Sequence, residues 1–366
     1  MPRSLLPLVP AGLIGTSLAL LLVTSGVSRV IRHWRRDQGV VLTFHSLFDS
    51  AAGDHDLLDP AAHMDLRLFE QACQHLAAQY EVVPLESLVH QSSGAERSQS
   101  RKRKVALTFD DGYASNFHLA LPVLQEHSFP ATVFVTTGFV SGEVMPWFVR
   151  AEWALSQTTK PQVIIHSETL PLVTSADRLH AYHRFCGRYK SLSTSQGEAE
   201  TNALEDQLGV RLASTNDLPP ALQPMNWQQV RAMHQSGLVT IGAHTHTHPI
   251  LARCTARQQA QEIRLCRDQL AVELGDEPRL FAYPNGKLGD FDRSTMRLLK
   301  AAGFTASVTM MERSTSSQDD LFAIPRHGSP QNTKFLEATA SGGVDWLRTI
   351  KAATLGMTRR REAGAA

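Results

Sequence analysis

Cysteine is scarce. Cys73, Cys186, Cys254 and Cys266 are the only four, far apart and with no C-x-x-C spacing, which excludes a disulfide-stapled secreted framework and a paired-cysteine motif. They read as buried thiols. An excess of one charge is missing as well. Thirty-six basic side chains face 35 acidic ones, for a net charge of +1, so no bulk attraction draws the chain to nucleic acid and no such partner is expected. No internal repeat or low-complexity block occurs. What remains is 366 residues with 42% hydrophobic content, enough to bury one large core or two ordinary ones.

The N-terminus departs from this plain composition. Leu5 to Val27 carries no charge and is long enough to span a bilayer, although Pro7 and Pro10 interrupt its start. Residues 1–36 are therefore expected to act as a membrane anchor with a basic flank. Arg29, Arg32, Arg35 and Arg36 follow the apolar stretch, and the positive-inside rule would keep the rest of the chain on the cytoplasmic face, with the periplasm or cell envelope as the other side open to it. A cleaved signal peptide is the rival, disfavoured by the missing A-x-A site and by those arginines. A third reading is an apolar helix packed on the protein body.

Beyond the basic flank, short apolar runs alternate with helical patterns. Val40 to Phe44 reads as a buried strand ending at His45. Leu66, Phe69, Cys73, Leu76 and Tyr80 recur at three or four residues and predict a helix over 65–80. Val105 to Phe109, a helix over 114–127 and Ala131 to Thr136 form a βαβ unit. Trp227–Ser236, Val239–Gly242, Ala256–Leu274, Leu280–Tyr283, Arg293–Ala302 and Thr305–Val308 repeat the alternation, which implies a mostly parallel sheet or barrel. Residues 142–224, with Pro161, Pro171, Pro219 and Pro220, break the rhythm and read as an insertion over one rim. Gln91 to Lys104 reads as a polar loop, and residues 332–366 as a helical extension with a frayed tail.

Two constellations carry chemistry. Thr108-Phe109-Asp110-Asp111-Gly112 sets two carboxylates directly after a strand, with a glycine to turn the chain. Neighbouring side chains on an extended chain point apart, so a sharp turn is needed for both to serve one site. One could then bind a metal while the other handles protons. Gly242-Ala243-His244-Thr245-His246-Thr247-His248-Pro249 also follows a short strand. On one helical turn, His244 and His248 would face one point, and two imidazoles with a carboxylate make a common set for a catalytic divalent ion. His246 would point elsewhere.

These two motifs, TFDDG and G-x-H-[ST]-x-x-H, resemble the first two motifs of carbohydrate esterase family four, the chitooligosaccharide and polysaccharide deacetylases. The similarity spans about Val40 to Pro330. It implies a distorted (β/α) barrel of the polysaccharide deacetylase type, in the α/β class, over residues 37–331. It also implies Asp111, His244 and His248 as ligands of a divalent metal, usually Zn2+, and Asp110 as general base. Phe281-Ala282-Tyr283-Pro284-Asn285-Gly286 resembles the third motif, often F-R-x-P-Y-G, whose arginine steadies the catalytic aspartate. Here that position is Ala282, and Arg326 is the candidate replacement. The family also uses a histidine acid. His45 and His327 compete for that role, and His45 is favoured because Leu42-Thr43-Phe44-His45 resembles the L-x-[YF]-H segment of the rearranged branch that includes poly-N-acetylglucosamine deacetylases.

The resemblance implies hydrolysis of an acetamide on an N-acetylated amino-sugar glycan. Backbone N–H groups at Tyr113 or Asn285 would support the oxyanion. Three rivals stand beside this reading: a phosphotransferase with an aspartate nucleophile, a silent glycan-binding module of the same fold, and a deacetylase of a lipid-linked or nucleotide sugar. Trp147, Phe148 and Trp153 could cover a sugar as a lid, with core packing as the alternative.

Overall fold

The computed structural model describes residues 11–52, 59–91 and 102–351. Six strands lie side by side in chain order, all parallel: β1 (Val40–Phe44), β2 (Lys104–Phe109), β3 (Ala131–Val135), β4 (Val239–Ala243), β5 (Leu280–Ala282) and β6 (Ala306–Val308). Glu81–Val82 runs along the start of β2. A short segment then joins the two ends of this sheet. Thr309 donates its N–H to the Ile324 carbonyl at 2.8 Å, and His327 donates to Val41 at 2.9 Å while its carbonyl accepts from Thr43 at 2.8 Å. Residues 324–327 therefore bridge β6 to β1, and the parallel sheet becomes the distorted (β/α) barrel that the family resemblance implies.

Strand periodicity sorts the side chains into two layers. Val41, Ala106, Phe134, Ala282, Ala306, Val308 and Ile324 pack together inside the barrel, while Val40, Leu42, Val105, Leu107, Val133 and Ile241 join the larger core under the helices. The inner layer is small because Phe134 crosses it: a Cβ at Gly242 would meet the Phe134 ring at 2.5 Å. Continuing each strand by the same period of two places His45, Asp110 and His244 on the inward side at the C-terminal mouth.

The expected N-terminal anchor begins among residues outside those described. What is described is α1 (Ala11–Thr24), ended by Gly26 at φ 77°, and α2 (Val27–Trp34). Among the described residues, no helix is long and apolar enough to cross a membrane. The helix α3 (Leu66–Gln79) forms where the three-to-four spacing predicts it, capped by Asp65. The expected helix over 114–127 is split. Asn116–Ala120 is a π-helical turn in which Leu121 donates to Asn116, and an α-helix runs from Leu121 to His127. Pro122 has no N–H to give the carbonyl four residues back, and the ladder shifts register there.

The insertion folds around its own core. Helices α4 (Trp147–Gln157), α5 (Ser175–Tyr189) and α6 (Thr194–Leu208) pack with the hairpin Gln162–Ile165/Glu168–Pro171 around Leu155, Val163, Tyr182, Phe185 and Leu204. Its pattern is faint in sequence because α6 buries Gly197, Thr201 and Glu205 along with its leucines. At the C-terminal end, α7 (Thr333–Ala340) packs against α1 and α3. Glu337 of α7 accepts from His75 and Tyr80 at 2.8 and 2.7 Å and pairs with Arg32 of α2 at 3.3 Å.

Candidate active site

Asp110 ends β2 facing inward, and Arg326 reaches it from the closing segment. Both its guanidinium nitrogens donate, Nη1 to Oδ1 and Nη2 to Oδ2, each at 2.7 Å, and Nη1 also donates to the Thr108 hydroxyl at 3.1 Å. Arg326 is fully buried, with its guanidinium 5.5 Å from the Phe134 ring centre. Burial by itself would raise the Asp110 carboxyl, but Arg326, with His244 and His45, outweighs it and holds the group below the usual carboxylate range. Arg326, on the closing segment, thus pairs with Asp110 although position 282 is alanine. Side chains alternate, so His327 points the other way, where its Nε2 lies 3.5 Å from Asp345. His327 does not reach the site.

Asp111 turns back toward the same mouth because its backbone is left-handed, φ 74°, followed by Gly112 at φ 92°. That sharp turn is the one the paired aspartates require. The second motif corrects an expectation: residues 244–248 are not a helical turn. They form a bend in which Thr245 and His248 hold φ of 65° and 60°, and this strained path, not a helix, points both rings at Asp111. His244 Nε2 and His248 Nε2 each lie 3.4 Å from Asp111 Oδ1. All three groups are buried, with their ligand atoms within 4.8 Å of one another.

This trio has the chemistry of a cation site. Asp111 Oδ1 is buried with no hydrogen-bond partner among the described residues, an expensive arrangement for a carboxylate oxygen left alone. His244 donates Nδ1–H to the Ala282 carbonyl at 2.8 Å, which leaves its Nε2 lone pair facing inward. Burial pushes the His248 imidazole down to about 3 against the pull of Asp111, so it is neutral near pH 7 and able to donate a lone pair. His246 points away, bonded to Thr137 at 2.9 Å and 3.6 Å from Glu143.

A pocket of about 390 Å³ opens at Asp111 and His248, with His45, Tyr113, Phe148 and Asn285 also among its lining. His45 is half-buried there, and its Nδ1 has no partner among the described residues. The backbone N–H groups of Tyr113 and Asn285 likewise donate to no acceptor among the described residues. The outer wall comes from the insertion, where Trp147 and Phe148 are expected either as a lid or as core, and the two divide between those roles. Phe148 of α4 meets the His248 ring edge-on at 4.8 Å, while Trp147 is buried and stacks on Tyr189 at 3.9 Å. A buried pair, His63 with Glu152 at 2.9 Å, ties α4 to the two-stranded ribbon Ser46–Phe48/His63–Asp65 that follows β1. Nothing in the local sequence marks His63 or Glu152, since one leaves a two-stranded ribbon and the other lies within the insertion.

The polysaccharide deacetylase family model matches residues 97–307, more than half of the chain. The chain belongs to the polysaccharide deacetylase family, and is a hydrolase acting on carbon–nitrogen bonds. Among solved structures it is similar to the Streptococcus pyogenes deacetylase PplD in complex with acetate, at 17% identity over 83% of this chain and 98% of that one, with a TM-score of 0.53. It is also similar to IcaB from Ammonifex degensii, at 19% identity over 83% and 97%, with a TM-score of 0.51. At these identities the likeness is one of fold. No curated protein matches the chain in sequence.

Proposed function

We propose that the chain hydrolyses the acetamide of an N-acetylated amino-sugar glycan, releasing acetate and leaving a free amine. One observation carries this reading: the Asp110–Arg326 pair, the Asp111/His244/His248 trio and His45 gather at one barrel mouth, where His45, Asp111 and His248 line a pocket. Asp111, His244 and His248 would hold a divalent ion, and the two-imidazole, one-carboxylate set suits Zn2+. Such an ion supplies the charge that acidifies a water molecule and polarises the acetyl carbonyl.

The protein's own groups divide the remaining work. Asp110, kept ionised by Arg326, takes the proton of the attacking water. The N–H groups of Tyr113 and Asn285 are free to stabilise the developing oxyanion. His45, on the pocket wall, gives a proton to the nitrogen as the carbon–nitrogen bond breaks. The acetate held by PplD is the product this reaction would form. A silent binding module has no use for an ionised base gripped by a buried arginine beside an orphaned carboxylate oxygen.

The test is acetate release from N-acetylglucosamine oligomers by the full chain, before and after chelator treatment and after Zn2+ is restored. Release that stops with the chelator and returns with the metal supports the proposal. A metal-loaded protein that binds the oligomers and releases no acetate contradicts it.

A further inference from the structure

The outward face of α1 and α2 is at odds with water. Among the described residues, seven of the eleven large apolar side chains that stand exposed fall in two short stretches, residues 18–34 and 346–350. Leu21 is 62% exposed, Val30 51% and Trp34 78%, while Ala19, Leu22 and Ile31 on the opposite side are buried against the protein. A surface helix normally turns charged residues outward. α1 has none, and Leu18, Leu20 and Leu21 stand outward there beside Ser17 and Thr24.

The two stretches are neighbours. A Cβ on Gly343 would touch Leu22 at 3.1 Å, and one on Gly342 would touch Arg35 at 3.1 Å, so the helical residues 343–351, with Trp346, start beside α1 and α2. Arg35 also lies 3.8 Å from Asp345. Together they form one apolar face, larger in content than scattered single exposures.

Charge identifies what covers it. No acidic residue precedes Asp37. Arg32 and Arg35 turn inward to Glu337 and Asp345, whereas Arg29 and Arg36 are exposed and form no ion pair with the described residues. On α2, Val30 and Trp34 share one stripe, flanked by Arg29 and His33 at helical spacing. An apolar stripe with tryptophan at its end and unpaired arginines beside it is complementary to the headgroup boundary of an anionic bilayer. A second copy of the chain would bring like charges face to face.

We infer that α1, α2 and residues 343–351 form a monotopic membrane-contact surface. The chain lies on an anionic lipid bilayer through this face, with α1 held against the protein body by α7. This is a different arrangement from a tether that leaves the domain and spans. It does not depend on the catalytic reading.

Vesicle flotation with the full chain tests it. Vesicles of mixed phosphatidylglycerol and phosphatidylcholine should carry the protein up, pure phosphatidylcholine should carry about tenfold less, and alkaline carbonate should strip it off. Leu21→Glu with Trp34→Glu should lower binding at least about tenfold with an unchanged thermal transition. Should that variant fold poorly, Arg29→Gln with Arg36→Gln should abolish the preference for anionic vesicles while leaving the apolar face intact. Absence of binding to either vesicle, a stable dimer dispersed by the Glu variant, or protein that resists carbonate would each overturn the inference.

Discussion

Arg326 grips Asp110 through two parallel hydrogen bonds of 2.7 Å. Residue 326 lies on the segment that closes the barrel, so the fold's last strand contact also sets the charge of the candidate base. Arg326→Ala should cut turnover about 10²-fold or more, since the base loses its orientation and its ionisation. It should also destabilise the fold by ~3–5 kcal/mol, because a buried carboxylate is left unpaired. Bound metal should be retained. Full turnover in this variant would remove Arg326 from the account.

His45 should behave as an acid and not as a scaffold. It is half-buried and its Nδ1 makes no bond with the described residues, so His45→Gln should keep its fold and its metal. Turnover of an N-acetyl sugar should fall ~10²- to 10⁴-fold. An aryl acetate, whose leaving group departs without a proton, should lose far less. Equal losses on both substrates would argue against proton donation.

The buried pair His63–Glu152 fixes the insertion to the ribbon that follows β1, beside the pocket. Burial opposes the charge on His63, but Glu152 outweighs it and raises the imidazole above its usual range. Glu152→Gln should therefore destabilise the protein by ~3–5 kcal/mol and raise KM more than it lowers kcat, as the Phe148 wall loosens. Unchanged stability and KM would show that the wall is held by its apolar core alone.

Much of this site is legible in the sequence, from motifs placed directly after short apolar runs and from what their family resemblance implies. His45, Asp110 and His244 each follow a short apolar run whose two-residue alternation carries on to the inward side, and Gly112 marks the turn that brings Asp111 round. Arg326 is legible only as a candidate, because its segment pairs with the sheet at Ile324 and His327 alone, contains Pro325 and resembles a loop. The convergence of His244 and His248 is legible but its cause is not: left-handed backbone at Thr245 and His248 leaves no signal in residue type, where a glycine would have. The insertion hides its helices because polar residues occupy part of their buried faces.

Asp345 gives the fold a defined acid sensitivity. Burial would raise its carboxyl, but His327 and Ser314 together hold it at about 2; Ser314 donates both its N–H, at 2.7 Å, and its hydroxyl. A folded pKa below the unfolded value contributes stability above about pH 4 that disappears as pH falls through about 2. The contribution is about 2 kcal/mol. Denaturant unfolding of the wild type and Asp345→Asn should differ by that amount at pH 7 and converge below pH 2. A difference that persists in acid would assign the stability to packing.

The most direct measurement of the central claim is metal content and acetate release, taken together, for the wild type, Asp110→Asn and His248→Ala. The account predicts about one divalent ion per chain in the wild type and in Asp110→Asn, and little in His248→Ala, with acetate released by the wild type alone. Metal retained in His248→Ala, or undiminished turnover in Asp110→Asn, would contradict the assignment of ligand and base.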